Sequence, residues 1–247
     1  MIETPEKDWV ARLDEAFERA MRPFRDGRSR GLLFSGGVDS ALLAWELKDS
    51  PDLGLSTVGV AGSPDLAAAR ETARQLGLPW VGVEVGLGQV RESLARVDAD
   101  LEGLEPVAGS VLASFAVAID RAPSAELLCG QGADELFLGY AHFRDLAAGA
   151  AGKRAEVDLA RLLDRDWPRA QQIALRFSKT VSAPYLDPDF IAAARRIPIE
   201  TRQPEPTPKA FFRRWAIHRG LPPEIARRPK RALQYGSGID RLLRRGT

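Results

Sequence analysis

Apolar positions along this chain fall into two alternating patterns. Short unbroken runs such as Leu32-Leu33-Phe34 and Leu127-Leu128-Cys129 are bounded by glycine and polar residues and read as buried strands. Between such runs the apolar residues recur three and four apart. Trp9, Val10, Leu13, Ala16, Phe17 and Ala20 mark one face of an amphipathic helix over 8–22. The same reading predicts strands at 31–34, 55–61, 79–85 and 126–129, and helices at 39–48, 64–76, 87–97 and 109–121. The ends of the helix over 64–76 are spelled out locally: Ser63 is the N-cap, Pro64 takes the first position and Gly77 follows as C-cap.

Strand–helix alternation predicts an α/β fold with a parallel sheet and helices on both faces. From Val157 onward Leu, Ala and Arg recur at helical spacing, which predicts a helical lobe. Thr201–Pro208, with three prolines, reads as a connecting loop. The expected division is an N-terminal helix over 1–30, an α/β core over 31–150 and a helical C-terminal lobe over 151–247.

In such sheets ligands bind beyond the carboxyl ends of the strands. Three loops fall there: Ser35–Ser40, Gly62–Asp65 and Gly130–Asp134. The first, Ser35-Gly36-Gly37-Val38-Asp39-Ser40, joins a strand to a helix. Adjacent glycines let the backbone approach a ligand closely, and the N–H groups at a helix start favour a phosphate. Ser35 and Ser40 add hydroxyls, and Asp39 adds a carboxylate suited to Mg²⁺. No Gly-Lys-Ser/Thr follows, so this is not a Walker loop. An ordinary strand–turn–helix junction could also hold two glycines, and a carboxylate such as Asp134 at a helix start could serve only the helix dipole.

Composition narrows the class. At 247 residues, 45% apolar and 28% charged, the chain can bury one substantial core. A single cysteine excludes an internal disulfide. The opening Met1–Asp8 is too acidic and polar for a secretory signal, and the longest apolar run, Val111–Ile119, is too short for a membrane span. A cytoplasmic protein without a membrane partner is expected. The net charge of +1 conceals an asymmetry: from Lys209 onward 11 Lys and Arg face two acids. Such a tail can bind nucleic acid, meet a polyphosphate, or form a solvated helical surface.

The order Ser-Gly-Gly-Xaa-Asp-Ser resembles the pyrophosphate loop (PP-loop) of ATP pyrophosphatases, enzymes of the HUP or adenine nucleotide alpha hydrolase-like, Rossmann-like class. Gly130-Gln131-Gly132-Ala133-Asp134-Glu135-Leu136-Phe137-Leu138-Gly139-Tyr140 is similar to the second signature of asparagine synthetases, and Ala183-Pro184-Tyr185-Leu186-Asp187 and Arg228-Pro229-Lys230 match later landmarks. The ending Gln234–Ile239 looks like archaeal-type asparagine synthetase-related proteins. The resemblance runs from about Gly31 to Ile239. It implies ATP and Mg²⁺, with Ser35, Gly36, Gly37, Asp39, Ser40, Val60, Gly62 and Gly130 binding nucleotide and Asp39 and Asp134 holding metal. It also implies that Lys230 steadies pyrophosphate, with Gln131 and Asp134 beside the chemistry.

The implied activity is AMP-forming C–N ligation: a carboxylate such as aspartate is adenylated, then attacked by ammonia or an amine. Two departures bear on the acceptor. Gln131 stands where the family typically has Glu, and an amide cannot act as a general base. Ser182 stands where Arg is usual. No glutamine amidotransferase domain is expected, since position 2 is Ile and the synthetase motif begins by Gly31, so ammonia is free or comes from a separate glutaminase subunit. Two other classes fit less of the chain: a nucleotide-binding regulatory or scaffold protein, and a tRNA-base-modifying ATP pyrophosphatase using the basic tail. A homo-oligomer is compatible with each. His142, His218 and Cys129 form no recognisable constellation and are expected to be structural.

Overall fold

The computed structural model describes residues 4–103, 106–203, 207–228 and 236–245. Five parallel strands, β1 (Arg30–Leu33), β2 (Leu53–Gly59), β3 (Trp80–Glu84), β4 (Glu126–Leu128) and β5 (Thr180–Ser182), lie in the order β3-β2-β1-β4-β5. The chain walks outward from β1 to β3, then returns to start again at β4 on the other side of β1. That reversal opens a crevice between the carboxyl ends of β1 and β4, the place where ligands settle in open α/β sheets.

The pleat explains the burial on both faces. Leu32, Leu55 and Leu128 point into one core layer with α1 (Thr4–Met21), α2 (Val38–Glu46) and α3 (Pro64–Leu76). On the opposite face Val58 packs with α4 (Leu87–Ala95), while Leu127, Cys129 and Val181 pack beside α5 (Asp98–Leu101) and α6 (Pro106–Arg121). Near-continuous apolar strands are what a sheet covered on both faces requires.

The sequence-derived elements recur with ends shifted by at most four residues, the largest shift being the start of α1 at Thr4 rather than Asp8. The helix ending at Arg121 begins at Pro106 rather than Gly109. Gly77 adopts the left-handed C-cap with φ 68°, but Ser63 at the N-cap position makes no capping bond, and its buried hydroxyl has no partner among the described residues. The segment beyond 157 is not purely helical: Thr180-Val181-Ser182 forms β5 beside β4. This strand is too short and too polar to leave a hydrophobic run in the sequence.

Beyond β4 come α7 (Ala133–Leu136), α8 (Ala148–Arg161), α9 (Trp167–Arg176), α10 (Pro188–Arg195), α11 (Ile199–Arg202), α12 (Ala210–His218), α13 (Pro223–Ala226) and α14 (Ile239–Arg245). An aromatic nest binds them to the first half of the chain. Phe17 of α1 lies 5.1 Å from Trp215, 5.6 Å from Phe190 and 5.8 Å from Tyr185, and Phe212 lies 4.9 Å from Phe137. Each such ring buries enough surface for roughly 1.5–3 kcal/mol, so α10 and α12 are held against the loops of the sheet. No helix among the described residues is long and apolar enough to cross a membrane.

Candidate active site at the carboxyl ends of the strands

The loop after β1 is shaped by two constraints. Gly36 has φ 71°, and a Cβ there would stand 2.8 Å from the backbone of Ala68 and Ala69 in α3. Only glycine meets both conditions. Gly37 is the N-cap of α2 and brings no side chain to cap it, so the first-turn N–H groups face the crevice as an anion would need. Ser40 Oγ accepts from Ser35 N at 3.2 Å, and the two hydroxyls stand 3.3 Å apart. These are long bonds within one small loop. The hydroxyls could turn to a phosphate at little cost.

The loop after β4 packs directly on this one. Gly130 lies so close to Asp39 that an added Cβ would sit 2.9 Å from the Asp39 Cβ. Tyr185, fully buried, donates from its hydroxyl to the Asp39 carbonyl at 2.9 Å. Asp187 in the same stretch caps α10 by accepting from Asp189 N and Phe190 N. The Ala183–Asp187 landmark therefore acts here as scaffolding for the first turn of α2.

Asp39 and Asp134, on different loops, converge. A residue to which sequence reasoning assigned no role joins them: Lys209, only 1% exposed, places its Nζ 2.5 Å from Asp39 Oδ1 and 2.8 Å from Asp134 Oδ1. Lys209 stands in the left-handed region, with φ 60°, as the N-cap of α12. Gly139 leaves room for this pair, since a Cβ there would fall 1.9 Å from Asp134 Oδ1 and 2.3 Å from Lys209 Cε. No motif marked Lys209, one cation among 11 in the basic tail. Its only sequence signal is its position between the proline-rich loop and a helix start.

Next to Asp134, Glu135 is buried and accepts from the Tyr140 hydroxyl at 2.5 Å. Burial, with the Asp134 charge adding to it, pushes its carboxyl up to about 7. Gln131 and Ser182 are half-buried at the ends of β4 and β5, and Ser182 uses its carbonyl to accept from Cys129 N at 2.9 Å. Burial pushes the Cys129 thiol up to about 12. His142 pairs with Asp158 and His218 with Asp14.

The carboxyl end of β2 meets both β1 and the C-terminal segment. Phe34 N donates to Ser56 O, and Val60 N donates to Ser237 O at 2.9 Å. Alternate residues of a strand direct their backbone groups to the same side, so Val58 faces the crevice between these two bonds, where β1 has already ended. Val60 has its N–H engaged by the C-terminal segment, and Gly62 is an exposed turn residue with φ 70°. Lys230 and Gln234-Tyr235 lie outside the described residues.

The two carboxylates also bear on metal binding. Among the described residues no group of three or more His, Cys, Asp or Glu could hold a metal. Mg²⁺, however, is usually held by one or two carboxylates together with phosphate oxygens. Asp39 and Asp134, already close enough to share one ammonium, fit that pattern.

A parallel sheet with a switch-point crevice, a glycine-rich loop at a helix start and paired carboxylates defines an α/β protein with a candidate site at the strand ends. The chain belongs to the asparagine synthase family, which matches residues 11–157 and 146–245. It is 29% identical over 236 residues to the glutamine-hydrolysing asparagine synthetase of Gallus gallus, covering 89% of this chain and 42% of that protein. It is 26% identical over 251 residues to a putative glutamine-hydrolysing asparagine synthetase of Methanocaldococcus jannaschii, covering 86% of this chain and 46% of that one. The chain thus spans less than half the length of these relatives. Among solved structures it is similar to the NH3-dependent NAD synthetase of Campylobacter jejuni, at 16% identity and a TM-score of 0.36, over 76% of this chain and 91% of that one. So loose a likeness adds nothing to the topology above.

Proposed function

We propose that the chain is the synthetase unit of an ATP-dependent, AMP-forming amide ligase. A carboxylate substrate is adenylated with release of pyrophosphate, and ammonia or an amine then attacks the acyl adenylate. The observation that carries this reading is the convergence of Asp39 and Asp134 on Lys209 beside the Ser35–Ser40 loop. Splitting ATP between its α- and β-phosphates calls for positioning and cations more than for covalent work by the protein.

In this reading the α2 N-terminus, Ser35 and Ser40 hold the pyrophosphate portion, while the Val58 edge and the turn through Gly62 meet the nucleoside. Lys209 supplies fixed positive charge, and Lys230 is the second cation assigned to the pyrophosphate. Mg²⁺ held by Asp39 and Asp134 together with phosphate oxygens would neutralise charge as pyrophosphate departs. Gln131 and Ser182 flank the acceptor side as neutral hydrogen-bonding groups, which can orient the nucleophile but cannot take a proton from it. Ammonia or the amine reaches this side of the site from solution or from a glutaminase. The division proposed is 1–30, 31–150 and 151–247, with the last part completing the site, in a cytoplasmic protein.

The test is pyrophosphate release from Mg·ATP with a panel of amino acids and other carboxylates, with and without ammonia, against Asp39→Ala. Release that requires one acid and vanishes in the variant supports the ligase. Tight ATP binding with no turnover on any acid, amine or added RNA overturns it in favour of a nucleotide-binding regulatory role.

A further inference from the structure

Lys209 is buried in a left-handed conformation directly after Pro208, the third proline of a proline-rich stretch of sequence. The group that fixes the backbone around it is Arg213, one turn along α12 and 8% exposed. Its Nε donates to the Pro208 carbonyl at 2.9 Å, and its Nη1 donates to the carbonyls of Ala226 at 2.5 Å and Arg228 at 2.9 Å. These acceptors belong to separate stretches. Pro208 immediately precedes Lys209, Ala226 ends α13, and Arg228 is the last described residue before Lys230.

The connections continue into the glycine loop. Arg228 donates to Thr72 Oγ1 and to the Ala68 carbonyl, and the Thr72 hydroxyl shares its one proton between the Ala68 carbonyl at 2.9 Å and the Gly36 carbonyl at 3.1 Å. A path therefore runs from Gly36 through α3, Arg228 and Arg213 to Pro208 and Lys209, whose ammonium returns to Asp39. It closes a ring around the site. Had Arg213 served only to cap α13, the Ala226 carbonyl would have sufficed. The Pro208 carbonyl lies ahead of α12, and the bond to it bears directly on Lys209.

We propose that Arg213 is a positioning residue: acting through Lys209, it sets the ammonium between Asp39 and Asp134. Its consequence for turnover rests on the ligase reading; its effect on Lys209 does not. A planar guanidinium can serve three carbonyls at fixed angles, whereas a lysine ammonium on a flexible stem cannot reproduce that fork.

The experiment follows the side-chain ammonium resonance of Lys209 in ¹⁵N-labelled full-length protein, identified by its loss in Lys209→Arg. Arg213→Met is compared with Arg213→Lys, the latter serving if the methionine variant does not fold. Pyrophosphate release is measured for Arg213→Met, Lys209→Arg and the double variant. The expected result is a folded Arg213 variant whose Lys209 resonance is shifted or lost. Each single change should cost about 10²-fold in rate, the scale of a 1 Å misplacement, and the double variant should lose no more than either. An unchanged Lys209 resonance in a folded Arg213 variant overturns the proposal, as does a double-variant loss equal to the product of the singles. If no substrate gives turnover, the ligase reading fails and the resonance alone decides the role of Arg213.

Discussion

Replacing Gly139 by alanine tests the centre of the site with a single methyl group. The new Cβ would lie 1.9 Å from Asp134 Oδ1 and 2.3 Å from Lys209 Cε. Comfortable contact begins near 3.5 Å, so the groups must separate by roughly 1.5 Å. Neither can retreat freely: Lys209 is buried and tied to Asp39, and Asp134 sits in the first turn of α7. Overpacking of this kind costs about 1–3 kcal/mol, a fall in melting temperature of roughly 2–12 °C for a chain of this size. Displacing the ammonium from the carboxylates should lower Mg-dependent pyrophosphate release by about 10²-fold. Gly149→Ala is the control, since nothing lies within 4 Å of its Cβ position in α8. That change should be neutral or stabilising by up to about 1 kcal/mol. Melting curves and single-turnover pyrophosphate assays on both variants decide the matter. A Gly139→Ala protein with the melting temperature and rate of the original would refute the placement of Lys209 between Asp39 and Asp134.

Three further outcomes are expected. Gly36→Ala forces an unfavourable left-handed alanine against the α3 backbone, so its ATP-dependent rise in melting temperature should disappear. Tyr185→Phe leaves the buried Asp39 carbonyl without its hydroxyl donor and should cost about 1–3 kcal/mol in denaturant unfolding. Glu135 titrates at about 7 when folded, against 4.5 when free, so the folded state binds more protons between these values and stability falls as pH rises through that window. Glu135→Gln removes this loss. In metal-free buffer the variant should gain on the original protein between pH 5 and pH 8, by an amount on the order of 1–3 kcal/mol, and equal slopes of stability against pH would show that Glu135 does not titrate there.

Much of this protein is determined locally. Runs such as Leu32-Leu33-Phe34 can only be buried, Pro64 and Gly77 can only begin and end a helix, and strand–helix alternation leaves a parallel sheet as the way to bury both. The glycine loops follow, because their backbone conformations are properties of the loops themselves. β5 was not legible, since three residues with one apolar side chain carry no periodic signal and pair only because β4 offers an edge. The pairing of Val60 with the C-terminal segment was not legible either, because Ser237, whose carbonyl takes its N–H, lies 177 residues downstream.

Lys209 is the clearest case. In sequence it is one cation in a basic tail, and nothing nearby separates it from Arg214 or Arg219. It becomes part of the site because the aromatic nest docks α12 against α1 and α7, and because Arg213 and Gly139 leave one place for its side chain. Chain order and local conformation determined the loops. Which charges meet across them is a matter of long-range packing, and only the tertiary structure decided it.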